Sequence, residues 1–232
     1  MTRSTLILLP GLMSDARVWT HQVAAFEDSH AIQIADFRAF DSFEAMAQSV
    51  LTAAPARFAL AGHSMGGLVA MMIAAMAPGR VERLALFDTS ALPPDPRERD
   101  GRDALVRLGF TEGMGAIADK WLPPTLHPRH RGDHPVHRQL RQMLLDMTPD
   151  IHARQVNALF NRPDARPGLA KVRCPTLVGV GRQDEGCPVA RHEEIAALIP
   201  GAVLAVFEEC GHMAPLEAPD AVIAAMRDWL AA

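Results

Sequence analysis

The segment Gly62-His63-Ser64-Met65-Gly66-Gly67 separates two apolar stretches, Phe58 to Ala61 before it and Leu68 to Ala77 after it. A serine between two glycines, where a strand turns directly into a helix, can lift its hydroxyl above a sheet edge as a nucleophile. Glycine at both flanking positions removes the Cβ atoms that would collide in so tight a turn. The hydroxyl would also stand at a helix N-terminus, whose dipole favours developing negative charge. A serine alone is a weak nucleophile. It needs a base within hydrogen-bond reach, and the base needs a third group to hold its tautomer.

Ten histidines are present, and position selects one of them. His212, in Cys210-Gly211-His212-Met213, follows the last apolar strand segment and precedes the closing helix. That places it at the same sheet edge as Ser64. His63 adjoins the serine and is expected to pack or bond locally, because neighbours on a tight turn point in different directions. Asp184, just past a strand ending at Val180, is the expected acid; Asp88, just past a strand ending at Phe87, is its rival. The chain order Ser, Asp, His suits such a sheet. An oxyanion hole needs backbone N–H groups aimed at the tetrahedral oxygen. Met65, after the nucleophile, and Leu12, in Pro10-Gly11-Leu12-Met13, are the expected donors. The implied chemistry is acyl transfer to water through an acyl-enzyme.

The elements that must position these groups alternate. Short apolar runs at residues 5–9, 31–35, 58–61, 84–87, 176–180 and 203–207 read as strands, the second, like the first, as buried on both faces. Between them lie helical patterns. One opens on an Asp41–Glu44 capping box and buries Phe43, Met46, Ala47, Val50 and Leu51. The run from Leu68 to Ala77 has no polar face and so should be buried all round. Others span 188–198 and 219–230, the last facing inward through Val222, Ile223, Met226, Trp229 and Leu230. This rhythm implies an α/β fold, a mainly parallel sheet with helices on both faces, and ligands outside the carboxyl ends of the strands.

Residues 92–170 break the rhythm: prolines are frequent, no buried-strand signal occurs, and the apolar spacing is helical. Helices are expected at 103–108, 114–121, 136–147 and 149–160, the last capped by Thr148 with Pro149 in its first turn. The expected organisation is a core of residues 1–91 and 171–232 with a helical lid at 92–170. Met13, Trp121 and Met213 are the candidate substrate-binding residues; Met65, Phe110 and Met114 could share an apolar pocket with them.

Composition narrows the classes. The 232 residues are 49% hydrophobic and 22% charged, with net charge -4, which gives no electrostatic reason to expect nucleic acid or an anionic membrane as partner. No apolar run approaches a membrane span, and Pro10-Gly11 cuts the first one too early for an export signal. Three widely spaced cysteines, Cys174, Cys187 and Cys210, do not read as a disulfide framework. A cytoplasmic monomer or homodimer acting on a small molecule is expected. The cluster His127, His130, His134, His137 with Asp133 matches no standard zinc spacing and is broken by Pro128, Gly132 and Pro135, so it is expected to be a solvated loop rather than a metal site. No cofactor is implied.

The pieces Leu9-Pro10-Gly11-Leu12, Gly62 to Gly67, Cys174 to Val178 with Asp184, and Gly211-His212-Met213-Ala214-Pro215 with Glu217 and Pro219 together resemble the α/β-hydrolase superfamily, especially its small esterase, lactonase and carbon–carbon-bond hydrolase branch. The resemblance implies an oxyanion loop, nucleophile, acid and base at these positions and a helical cap at 92–170. Pro10 stands where such proteins usually carry histidine. The chain has no room for their first β-hairpin, so a sheet of about six strands is expected. Their glycine-rich loop after the next strand is reduced to Asp36-Phe37-Arg38-Ala39-Phe40. Serine at position 64 argues against haloalkane dehalogenase chemistry. Cleavage of a small hydrophobic ester, thioester or lactone is the first expectation. Carbon–carbon bond hydrolysis, a lyase, a cofactor-free peroxidase on the same triad, and a non-catalytic ligand receptor are the alternatives.

Overall fold

A computed structural model describes residues 3–232; the first two residues of the expected 1–91 segment lie outside the described residues. The chain runs β1 (Thr5–Leu9), α1 (Thr20–Phe26), β2 (Ala31–Ile34), α2 (Phe43–Ala53), β3 (Phe58–His63), α3 (Met65–Met76) and β4 (Val81–Phe87). Five helices follow: α4 (Arg99–Glu112), α5 (Met114–Thr125), α6 (Pro135–Leu145), α7 (Pro149–Phe160) and the single turn α8 (Arg166–Leu169). The chain then closes with β5 (Thr176–Gly181), α9 (Val189–Leu198), β6 (Val203–Phe207), α10 (Ala214–Glu217) and α11 (Pro219–Ala231). Among the described residues no helix is long and apolar enough to cross a membrane.

The six strands form one parallel sheet in the order β2-β1-β3-β4-β5-β6. Helices α1 and α11 pack together on one face, and α2, α3 and α9 cover the other. From β1 the chain moves outward to β2 and then returns past β1 to β3. The loops after β1 and β3 therefore leave in opposite senses and open a crevice at their carboxyl ends. The register brings the ends level: Leu9 pairs with Gly62, and His63 with Phe87. Loops carrying Gly11, Ser64, Asp88 and Asp184 thus emerge along one rim.

Central strands β3 and β5 are buried throughout. Strand β2 is not, correcting the expectation of burial on both faces: it forms the sheet edge and alternates exposed and half-buried residues. Helix α2 buries the five expected side chains, but Ser42 caps it by accepting from the Ala45 N–H, rather than Asp41 as expected. Serine stands directly before the first helical residue, where the cap oxygen must be. Thr148 caps α7 through the Ile151 N–H as expected. Helix α4 runs well beyond the expected 103–108 at both ends, and α5 continues through Pro123 and Pro124. Helices α4, α5, α6 and α7 pack on one another in the stretch between β4 and β5.

Candidate active site

Ser64 stands between β3 and α3 with φ 53° and ψ -116°, a strained backbone for a residue with a Cβ. The close packing beneath it explains the glycines. A Cβ on Gly62 would lie 2.3 Å from the Gly66 oxygen, and one on Gly66 would lie 2.3 Å from the Leu9 oxygen. The elbow therefore requires hydrogen at both positions. Thr89, after β4, fixes the turn by donating from Oγ1 to the Ser64 carbonyl at 2.8 Å.

His212 meets Ser64 across the rim, with Nε2 2.9 Å from Oγ. Its Nδ1 lies 2.7 Å from Asp184 Oδ2, and Asp184 Oδ1 accepts the Cys187 N–H at 2.8 Å. An ionised Asp184 can only accept, so in the neutral ring Nδ1 carries the proton and Nε2 is free to accept from the serine. Burial works against a charged imidazole here. The Asp184 charge and hydrogen bond outweigh it and, with Asp88 and Glu217 adding to them, push the His212 pKa up to about 9. Burial likewise opposes the Asp184 carboxylate, but His212 and the Cys187 N–H hold its pKa below the ordinary value.

The rival Asp88 does not touch His212. It is wholly buried and accepts the N–H groups of Gly181 and Ala214, both at 2.9 Å. It thereby ties the loops that carry Asp184 and His212 to the end of β4. His63 donates from Nε2 to the His212 carbonyl at 2.7 Å. Burial, and next the His212 charge, drive its pKa down to about 3, so it stays neutral.

A cavity of about 730 Å³ opens over Ser64 and His212. Leu12 and Met65 line it, and neither backbone N–H has an acceptor among the described residues. A Cβ on Gly11 would lie 3.1 Å from the Ser64 Cβ, so this loop presses close to the serine. Leu68, Leu105, Trp121 and Leu159 give apolar walls. Trp121 is placed as expected, but Met13 and Met213 do not line the cavity. They are 0% and 1% exposed within the core. Met13 has φ 51°, and its N–H is held at 2.8 Å by Gln155 of α7; the Met213 N–H is held at 3.1 Å by Glu217. Phe110, 56% exposed, and the buried Met114 also lie off the lining.

The sequence profile of the alpha/beta hydrolase family matches residues 6–225. The chain belongs to the alpha/beta hydrolase family. It is similar to a pimeloyl-[acyl-carrier protein] methyl ester esterase of Nitrosomonas europaea, 26% identical over 93% of this chain and 91% of that one. Among solved structures, an esterase from Thermogutta terrifontis with malate bound superposes with TM-score 0.87 at 30% identity, covering 99% of this chain and 90% of that chain. An enol-lactonase from Burkholderia xenovorans superposes with TM-score 0.89 at 28% identity, covering 99% and 92%.

Within this alpha/beta hydrolase several positioning groups escape sequence reasoning. Glu217 is the foremost. Its Oε1 accepts the N–H groups of Gly211 and Met213, both at 3.1 Å, on either side of His212. Its Oε2 accepts the His127 N–H at 2.8 Å and faces His130 Nδ1 at 2.9 Å. His130 is therefore buried and paired, not part of a solvated loop as expected, and its ring lies against those of His127 and His134. The His212 N–H donates to the Thr125 carbonyl at 2.8 Å. His192 Nε2 accepts the Thr89 N–H at 2.8 Å, and Gln22 donates to the Pro215 carbonyl at 3.0 Å. Apart from the bonds from Glu217 to Gly211 and Met213, these pairings join distant segments, with no local spacing to reveal them. The ligand atoms of Asp184, Cys187 and His212 lie within 4.8 Å of one another. Two of the three are already committed to each other. The three cysteines are free thiols, and burial raises the pKa of each.

Proposed function

We propose that this alpha/beta hydrolase cleaves small carboxylic esters or lactones, with Ser64 as nucleophile, His212 as base and Asp184 as the orienting acid. The observation that carries the reading is the unbroken chain from Ser64 Oγ through His212 to Asp184, at 2.9 and 2.7 Å, on the floor of a largely apolar cavity. The named relatives, two esterases and an enol-lactonase, favour the same chemistry.

As Ser64 Oγ attacks the carbonyl carbon, its proton passes to His212 Nε2. The new oxyanion lies against the free Leu12 and Met65 N–H groups; one such donor is worth about 3 kcal/mol in the transition state. Collapse breaks the ester C–O bond, and the leaving alcohol takes the proton from Nε2. A water then gives a proton to His212 and attacks the acyl carbon. Collapse returns that proton to Ser64 and frees the acid. Helices α4 to α7 act as a lid that keeps bulk water from the acyl-enzyme. The substrate is a small molecule, and no step calls for a metal or cofactor.

The test is hydrolysis of p-nitrophenyl butyrate. Wild type should turn it over and label with a fluorophosphonate, and S64A should do neither. Turnover undiminished in S64A, or none in wild type, refutes the reading.

A further inference from the structure

The cavity wall carries more positive than negative charge. Arg102, Lys120, Arg162 and Arg191 line it against two carboxylates, Glu98 and Glu185. One pair cancels, since Arg102 lies 3.1 Å from Glu98. Among the described residues no carboxylate comes within the 4.0 Å of an ion pair with Arg162 or Arg191.

Arg162 is the informative member, because it is only 7% exposed. It donates to the carbonyls of Leu92 at 3.0 Å, Leu159 at 2.8 Å and Pro93 at 3.2 Å. Those bonds leave two of the five N–H groups of a guanidinium over. Carbonyls offer partial charge only, and a buried cation without a counter-ion is costly. Burial first, then the charges of Arg102 and Arg191 against a favourable Glu98, push the Arg162 pKa down. Arg162 thus feels repulsion from both neighbouring guanidiniums, of which only Arg102 is offset by a paired carboxylate, Glu98. An anion arriving with the substrate would relieve that repulsion.

We propose that this side of the cavity is an anion subsite: the substrate is an ester or lactone that also carries a carboxylate, held by Arg162 and Arg191 away from the bond Ser64 attacks. The inference rests on the ester-hydrolase reading and narrows it. Planar arginine forks match a carboxylate with two parallel hydrogen bonds. The apolar walls at Leu105 and Leu159 suit a short aliphatic chain joining the two ends.

Binding and turnover test the two readings separately. In S64A, calorimetry compares monomethyl adipate with dimethyl adipate. The half-ester should bind at least about tenfold more tightly, the usual effect of a charged hydrogen bond. The advantage should shrink in S64A/R191Q and persist in S64A/R57Q, whose altered residue is exposed and paired with Glu82. S64A/R162Q should also lose it, provided circular dichroism shows the fold intact without the three carbonyl contacts; R191Q decides if it does not. Equal affinity for the two esters, or binding of neither, overturns the anion subsite whatever the activity. Methanol release by wild type reads the other claim: release from neither ester counts against ester hydrolysis and leaves the measured affinities, and what they say of the anion subsite, unaffected.

Discussion

Neutral His212 is the form that can take the Ser64 proton, and the carboxylate that orients it also favours the charged form. Burial opposes the charge, but Asp184 prevails and the pKa rises to about 9. Only the unprotonated ring is a base, so kcat/KM should climb with pH through the alkaline range and level off above about 9. D184N removes the attraction that raises this pKa. Its rate limb should move to lower pH, while the plateau falls by about 10⁴ because the tautomer is no longer held. A D184N profile with its limb unmoved would remove Asp184 from this role. The raised pKa also has a stability sign: the His212–Asp184 contact is at full strength below about 6.5 and fades as pH rises through the folded value. These three residues are foreseeable because each ends or follows a strand, and parallel strands finish at one rim. Met13 and Met213 depart from expectation for the opposite reason. Being next to a site residue in sequence does not say which way the backbone turns, and the positive φ of Met13 accompanies a side chain buried in the core.

At the level of elements, His212, the proposed base, rides on a loop whose own hydrogen bonds reach helix α10 and the stretch beyond α5. Glu217 bonds both neighbours of His212 and, with its second oxygen, His127 and His130. A glutamine offers a single accepting oxygen, so E217Q must abandon one side of this clamp. The His212 loop should then shift by a fraction of an ångström, and kcat should fall by up to about 10²-fold, as misplacement of a reacting group does, with KM changing less. Kinetics of E217Q beside a thermal melt distinguish this from general unfolding: an equal loss of folded protein and activity, with kcat per folded molecule intact, would make Glu217 merely structural. The sheet itself is legible because apolar runs and strand-to-helix rhythm are local signals. The edge position of β2 is not, since Ala31-Ile32-Gln33-Ile34 reads alike on an edge or in a centre. The clamp is hidden too, because its second side joins Glu217 to His127 and His130, far away in the chain.

Across the whole molecule, acid should find the same few histidines. His63, His152 and His192 are buried and held neutral, their pKa values driven by burial down to about 3, 4 and 4. His63 and His192 lie beneath the rim that carries Ser64, and His152 is a buried residue of α7. In the unfolded chain each would titrate near its ordinary value of about 6.5. Their folded pKa values are depressed, so the unfolded state binds more protons below about 6.5, and stability falls with pH there. At pH 5 each such histidine costs about 2 kcal/mol, and three together approach the whole stability of an ordinary domain. His212 has the opposite sign and erodes stability only as pH rises toward 9. Urea midpoints should therefore peak near pH 6.5 and drop on both sides, more steeply toward acid. His152 offers the cleanest check, because its Nδ1 has no partner among the described residues and no hydrogen bond is lost there on replacement. In H152L the slope of unfolding free energy against pH between 6 and 5 should become shallower, one of the protons taken up on unfolding having been removed. An unchanged slope would mean that His152 is protonated in the fold and that the acid limit lies elsewhere.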